Sequence, residues 1–304
     1  MAVLGTTNIT LPVNIADGLF SKASTGSVVA LLAQSEPQSF GSITQPTLTT
    51  RPRAEYVGEG ANKAASTIGF GTKTVTPHKV QVTLRFNEEV LWADEDYQLG
   101  ILTTLADESG LALARALDLG VFHGMNPLTG AAVASIVVGD RIATTTNRVE
   151  IATATLTTPD LVMEAAAGLI IADGYTPNGI AFNPAYAWTI ATSRYADGRK
   201  KYPEMGFGLN VSSFEGLRAA ASTTVPGTPE GTDTDIKAIV GDWSLLKWGV
   251  QRRVPVELIK YGDPDSQGDL KRANQIALRS EIVYGWGVMD LDGFAVVEDA
   301  VANV

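Results

Sequence analysis

The chain has 304 residues, 45% of them hydrophobic, with two histidines, no cysteine and a net charge of −10. It can build one large or two medium cores, and it excludes disulfides, thiolate metal sites, Cys–His nucleophiles and histidine-rich metal clusters. The acidic balance argues against a surface that grips nucleic acid, which needs a basic footprint.

A reducing compartment is the expected setting. The first residues lack the basic region and apolar run of a secretory signal, and no stretch approaches the roughly 20 apolar residues that span a bilayer. Residues 1–50 read as an arm, rich in Thr, Ser, Pro and Gly. The patch Val28-Val-Ala-Leu-Leu32 suits a short helix, while Pro37, Pro46 and Pro52 are expected to break anything longer. A segment so poor in core periodicity is expected to lie across a partner or to lack order.

Residues 51–92 read as a long hairpin. Val80, Val82, Leu84 and Phe86 alternate with Lys79, Gln81, Thr83 and Arg85, the period of a half-buried strand. The expected first arm is Arg53-Ala-Glu-Tyr-Val57, and the glycine-rich residues 58–71 between the arms form the tip. A lone two-stranded hairpin is marginal in water. The Val80/Val82/Leu84/Phe86 face therefore needs a cover, and a neighbouring copy of the chain is the expected one.

Asp94-Glu-Asp96 opens the strongest helix signal, running to about His123, with acids at the positive end of the dipole. Ile101, Leu102, Leu105, Ser109, Ala112, Leu113, Ala116 and Leu117 form its apolar stripe, and Gly124 and Pro127 end it. Residues 130–155 carry no clear pattern. Thr157-Thr-Pro-Asp160 starts a helix over 161–172, residues 179–184 read as a short buried strand, and 184–192 as another helix. Residues 222–235 read by composition as an exposed loop, a tolerated insertion more than a binding surface. Strands are expected at 236–243, 254–259, 273–288 and 293–297. The irregular mix of helices and strands indicates an α+β fold.

Catalytic patterns are missing. There is no Gly-x-Ser-x-Gly elbow. Gly71-Thr-Lys73 lacks the ending of a phosphate loop, and Gly58-x-Gly60 lacks the third glycine of a dinucleotide fingerprint. His78 and His123 read as structural or solvated, and residues 94–96 as dipole-complementing acids and not a divalent site. No enzyme acting on a free small molecule, no cofactor and no metal are expected; a monomer with turnover would indicate otherwise.

Several of these segments resemble, in order, the major capsid proteins of tailed double-stranded DNA phages, the Hong Kong 97-like fold shared with encapsulin shells. Tyr56-Val-Gly-Glu-Gly-Ala-Asn-Lys-Ala-Ala-Ser66 resembles the family's extended-loop motif, and the helix from Asp94 its spine helix. Residues 179–184 resemble the strand-turn of its axial domain. Ile239-Val-Gly-Asp-Trp-Ser244 and Arg252-Arg-Val-Pro-Val-Glu257 resemble the exit from that domain, and 275–281 with 293–296 its closing peripheral strands.

The resemblance implies an N-terminal arm at 1–50, an extended β-hairpin loop at 51–92 and a peripheral domain with the spine helix at 93–150. It also implies an axial domain at 151–262 and closing peripheral strands at 263–304. Its expected function is a shell of hexamers and pentamers enclosing DNA without binding it specifically, away from any membrane, in a virion assembled in the bacterial host cytoplasm. A separate scaffolding protein, or none, is expected together with portal and decoration proteins as partners, and an encapsulin-type compartment is the alternative. Tyr56, Glu59, Lys63, Val80, Val82, Leu84 and Phe86 are the expected intersubunit contacts. Lys63, Asn274 and Glu281 stand where some members form a self-catalysed Lys–Asn isopeptide bond assisted by a glutamate; the plainer alternative is an intersubunit polar contact.

Overall fold

The computed structural model describes residues 26–50, 52–92, 95–151, 158–203, 205 and 211–299. Two sheets share the molecule. The first has four strands in the order β1-β2-β9-β8, where β1 is Ile43–Thr50, β2 Gly69–Asn87, β8 Leu246–Ile259 and β9 Gln275–Val288. The second has six in the order β3-β10-β7-β4-β6-β5, where β3 is Arg148–Ile151, β4 Gly179–Phe182, β5 Ser213–Phe214, β6 Leu217–Ala221, β7 Ile236–Gly241 and β10 Phe294–Asp299. This is an α+β architecture, as the irregular element order indicates.

Helix α1 (Val28–Leu32) and the long α2 (Glu95–His123) lie between the sheets. The C-terminal half of α2 is hydrophobic on nearly every side, and it is buried accordingly: Leu113, Leu117, Val121 and Phe122 meet Ile282, Tyr284 and Trp286 of β9 and Ile239, Phe294 and Val296 of the six-stranded sheet. Trp286 comes so close that a Cβ on Gly120 would stand 2.8 Å from its ring. The helix ends at Gly124, whose φ of +66° favours a residue without a Cβ. On the other face of the six-stranded sheet, α3 (Pro159–Ala172) and α4 (Pro184–Thr192) cover a second core built on Val162, Ile170, Ile180, Phe182, Ile190 and Val240.

Five expectations change. The first arm of the hairpin is β1, 43–50, pairing Ile43 with Val75 through Thr50 with Gly69, whereas 53–57 is not a strand. Pro46 sits inside β1 because an edge strand can leave the missing N–H on its open side. Part of the apolar face of β2 is covered by its own chain: Val80 and Val82 pack on the first core, and residues 76–87 pair edge to edge with β9 from Trp286 back to Gln275. Strand β8 starts at Leu246, well before the expected residue 254, and carries two bulges. Strand β10, expected with β9 among the closing peripheral strands, lies between β3 and β7 in the other sheet. The fifth change is the loop 222–235, which is a packed brace. Residues 1–25 of the arm lie outside the described residues.

Candidate assembly interface

Beyond the root of the hairpin, every residue from 52 to 68 is exposed. Tyr56 is fully open to solvent, at 105% relative exposure, and Ile68 and Phe70 are exposed as well. Few internal bonds shape this tip: Arg53 N–H donates to Ser66 Oγ at 2.8 Å, Ala64 N–H to Glu55 at 3.2 Å, and Ala61 N–H to the Gly58 carbonyl at 3.1 Å. Among the described residues, neither apolar core includes a residue of 52–68. A large aromatic side chain held in water this way is what an unfilled contact surface looks like.

The root, by contrast, is clamped. Val75 is wholly buried, and Lys73 Nζ reaches both Asp140 Oδ1 and the Gly139 carbonyl at 3.0 Å. Asp140 is itself held in place where Val288 N–H donates to its carboxylate and Trp286 Nε1 to its carbonyl. His78 stacks 4.2 Å from the Trp286 ring and shares a 3.0 Å hydrogen bond with Thr76 Oγ1. Burial lowers its pKa, with Asp140 pulling the other way. At the far end of β2, Arg85 forks onto Asp265 and donates to the Gly268 carbonyl at 2.9 Å, which folds the 263–269 loop around one guanidinium. The hydrogen bond to Asp265 is the main reason the Arg85 pKa is raised.

A second anchor was missed from the sequence. Asp118 of α2 is completely buried and accepts four hydrogen bonds, from Ser27 Oγ (2.5 Å), Val28 N–H (3.0 Å), Val29 N–H (3.1 Å) and Thr224 Oγ1 (3.1 Å). Its carboxylate thus clips the start of α1 and the 222–235 loop to the same turn of α2. Burial pushes the Asp118 pKa up, and the four donors pull it back only in part. One turn earlier, Arg115 grips Glu230 through two 2.6 Å bonds and also donates to the Thr228 carbonyl at 2.9 Å. Burial opposes ionisation of Glu230, but the Arg115 fork holds its pKa below the usual value. His123 Nε2 bonds the carbonyls of Thr224 and Val225. The signal for all this was one acid between two leucines, Leu117-Asp-Leu119, in a turn with no other polar residue.

The remaining candidates separate. Glu59 and Lys63 stand on the exposed tip with Tyr56. Val80 and Val82 face inward, while Leu84 and Phe86 are half-buried further along β2. Lys63 lies past one end of the 19-residue β2 and Asn274 beside the other, about 60 Å apart at the rise of an extended strand. Glu281 is six strand residues beyond Gln275, about 20 Å further along β9. Its carboxylate is paired with Lys79 at 2.8 Å. Within one copy these three groups do not meet. Among the described residues no group of three or more His, Asp or Glu could hold a metal ion, and no helix is long and apolar enough to cross a membrane.

Comparison with known proteins places this geometry. The model of the phage capsid family matches residues 7–299. A solved structure from Mycobacterium phage Ogopogo is 51% identical and superposes with a TM-score of 0.81, over 90% of this chain and 92% of that one. Another, from Gordonia phage Cozz, is 35% identical with a TM-score of 0.76, over 90% and 87%. The probable major capsid protein gp17 of Mycobacterium phage D29 is 24% identical over 293 residues, 93% of this chain and 88% of that protein.

Proposed function

This chain belongs to the phage capsid family, and from that premise we propose that its exposed hairpin tip is the part that another copy completes. The role is structural, a subunit of the virion capsid with the Hong Kong 97-like fold; the relatives are phage capsid proteins and do not favour an encapsulin. In our reading the subunits form hexamers and pentamers that close an icosahedral shell around double-stranded DNA, assembled in the host cytoplasm. The residues before β1 act as the arm and the β1–β2 hairpin, 43–87, as the extended loop; its four-stranded sheet with β8 and β9, together with α2, forms the peripheral domain, and the six-stranded sheet that β10 joins, with α3 and α4, forms the axial domain. The net charge of −10 suits a container along whose wall DNA slides during packing. Scaffolding, portal and decoration proteins complete the set of partners.

The observation that carries this reading is the tip: 52–68 is exposed throughout, yet rooted by the Lys73–Asp140 pair and buried Val75. Electron microscopy of the expressed chain, alone and with a scaffolding protein, tests it. Closed shells of uniform size are expected; monomers that never assemble under either condition overturn it. Correct shells from the chain alone would show the scaffold to be dispensable.

The Lys63, Asn274 and Glu281 set can meet only between copies, and Glu281 is already paired with Lys79. We read Lys63 as a polar contact to a neighbour, not as one end of a weld. A weld would join Lys63 Nζ to the Asn274 side-chain carbonyl and release ammonia, with Glu281 taking the amine proton. Denaturing electrophoresis of assembled particles decides: a single band near 32 kDa is expected, and a ladder above it assigns the weld instead.

A further inference from the structure

We infer that the outer face of α3, centred on Gly168, is packed closely against a second copy of this chain in the shell, an inference that rests on the assembly reading above. Helix α3 sits over one end of the six-stranded sheet, against β3, β10 and β7. Val162, Met163, Ala166 and Ile170 face that sheet and are buried. The opposite face runs through Leu161, Glu164, Gly168, Leu169 and Ala172, at helical spacing, with Ala165 at its edge and partly buried against the second core. Leu161 is 40% exposed and Leu169 37%, and Glu164 is the one charge. A helix face meant for water is normally polar.

Gly168 adds an independent argument. A Cβ built there meets nothing within 4 Å. Glycine in a helix interior is disfavoured against alanine by its conformational entropy, so nothing among the described residues explains it. A glycine on an outer helix face does allow another backbone to come close, since the spacing of packed elements follows the side chains between them.

Charge selects the occupant. Copies that each carry −10 repel at a distance, and this nearly neutral face is a place where they can meet. At the other end of the same sheet, the short β5–β6 edge presents Arg218, exposed and without a partner among the described residues, next to Glu215 in the turn. Glu164 likewise has none. A head-to-tail contact joins two different patches and closes rings, and one between these two ends sets Glu164 towards Arg218.

The chain has no cysteine, so Gly168→Cys supplies a single thiol for maleimide. We expect rapid labelling of the unassembled subunit and protection of the thiol in closed shells. Two further variants separate packing inside the subunit from packing between copies. Gly168→Ala should melt about 2 °C higher as a free subunit while lowering shell yield, and Gly168→Leu should cut the yield by about tenfold or more. Equal labelling in subunit and shell, or shells of wild-type yield from Gly168→Leu, overturns the inference. Failure of the unsubstituted chain to form shells would instead fail the assembly reading beneath it.

Discussion

Residues 52–68 and residues 222–235 are both built of small and polar side chains, with glycine, threonine and proline in each. The first stretch is exposed from end to end, with Tyr56 wholly in solvent. In the second, Thr224, Val225, Pro226 and Gly227 are buried, fastened to α2 by Arg115, Asp118 and His123. What separates them is not loop composition but what the rest of the chain offers. A loop is held when a helix presents acceptors and donors that match its backbone, and it is left open when no such groups are in reach. The open one is then free to be completed by another molecule.

The strongest way to break that comparison is to remove each anchor. Asp118→Ala leaves four buried donors without an acceptor and is expected to lower the stability of the unassembled subunit by about 3 kcal/mol or more, read from urea unfolding. Replacing 56–64 with a Gly/Ser segment should change that stability by less than about 0.5 kcal/mol yet abolish shells in negative-stain images. If the tip replacement proves as destabilising as the Asp118 change, the two regions are not different in kind. Arg115→Ala frees Glu230 from its fork; because the Arg115 side chain is 28% exposed, the expected loss is smaller, about 1–2 kcal/mol.

The pH dependence sharpens the comparison further. Burial raises the Asp118 pKa above its ordinary value of 3.8, so the folded chain keeps this proton at pH values where the unfolded chain has released it. The resulting stabilisation is fully present below that ordinary value and is lost as pH rises through the raised one. Asp118→Asn should flatten this part of the stability profile, whereas changes confined to the tip should leave it unaltered. An unchanged slope in Asp118→Asn assigns the pH dependence to other groups.

Much of the fold was legible because its signals are local. The stripe from Leu105 to Leu117 and the stop at Gly124 mark α2, alternation marks β2, and the apolar run Gly-Ile-Ala-Phe marks β4. The partner of β2 was not legible, because β9 lies about 190 residues along the chain and register between distant strands is set by packing. For that reason Val80 and Val82 looked like surface awaiting a neighbour when the first core already covers them. Need for a partner thus moves from the whole hairpin to its tip, where Tyr56, Glu59 and Lys63 remain open. Asp118 was hidden for a related reason: its four donors come from residues 27–29 and 224, and no spacing rule links those to 118.

Amide hydrogen exchange, followed before and after shell closure, tests the central claim most directly. Residues 52–68 should exchange fast in the free subunit and become protected in the closed shell, while 224–227 stay protected in both. Protection of 52–68 already in the free subunit, or fast exchange persisting in the closed shell, would contradict the account.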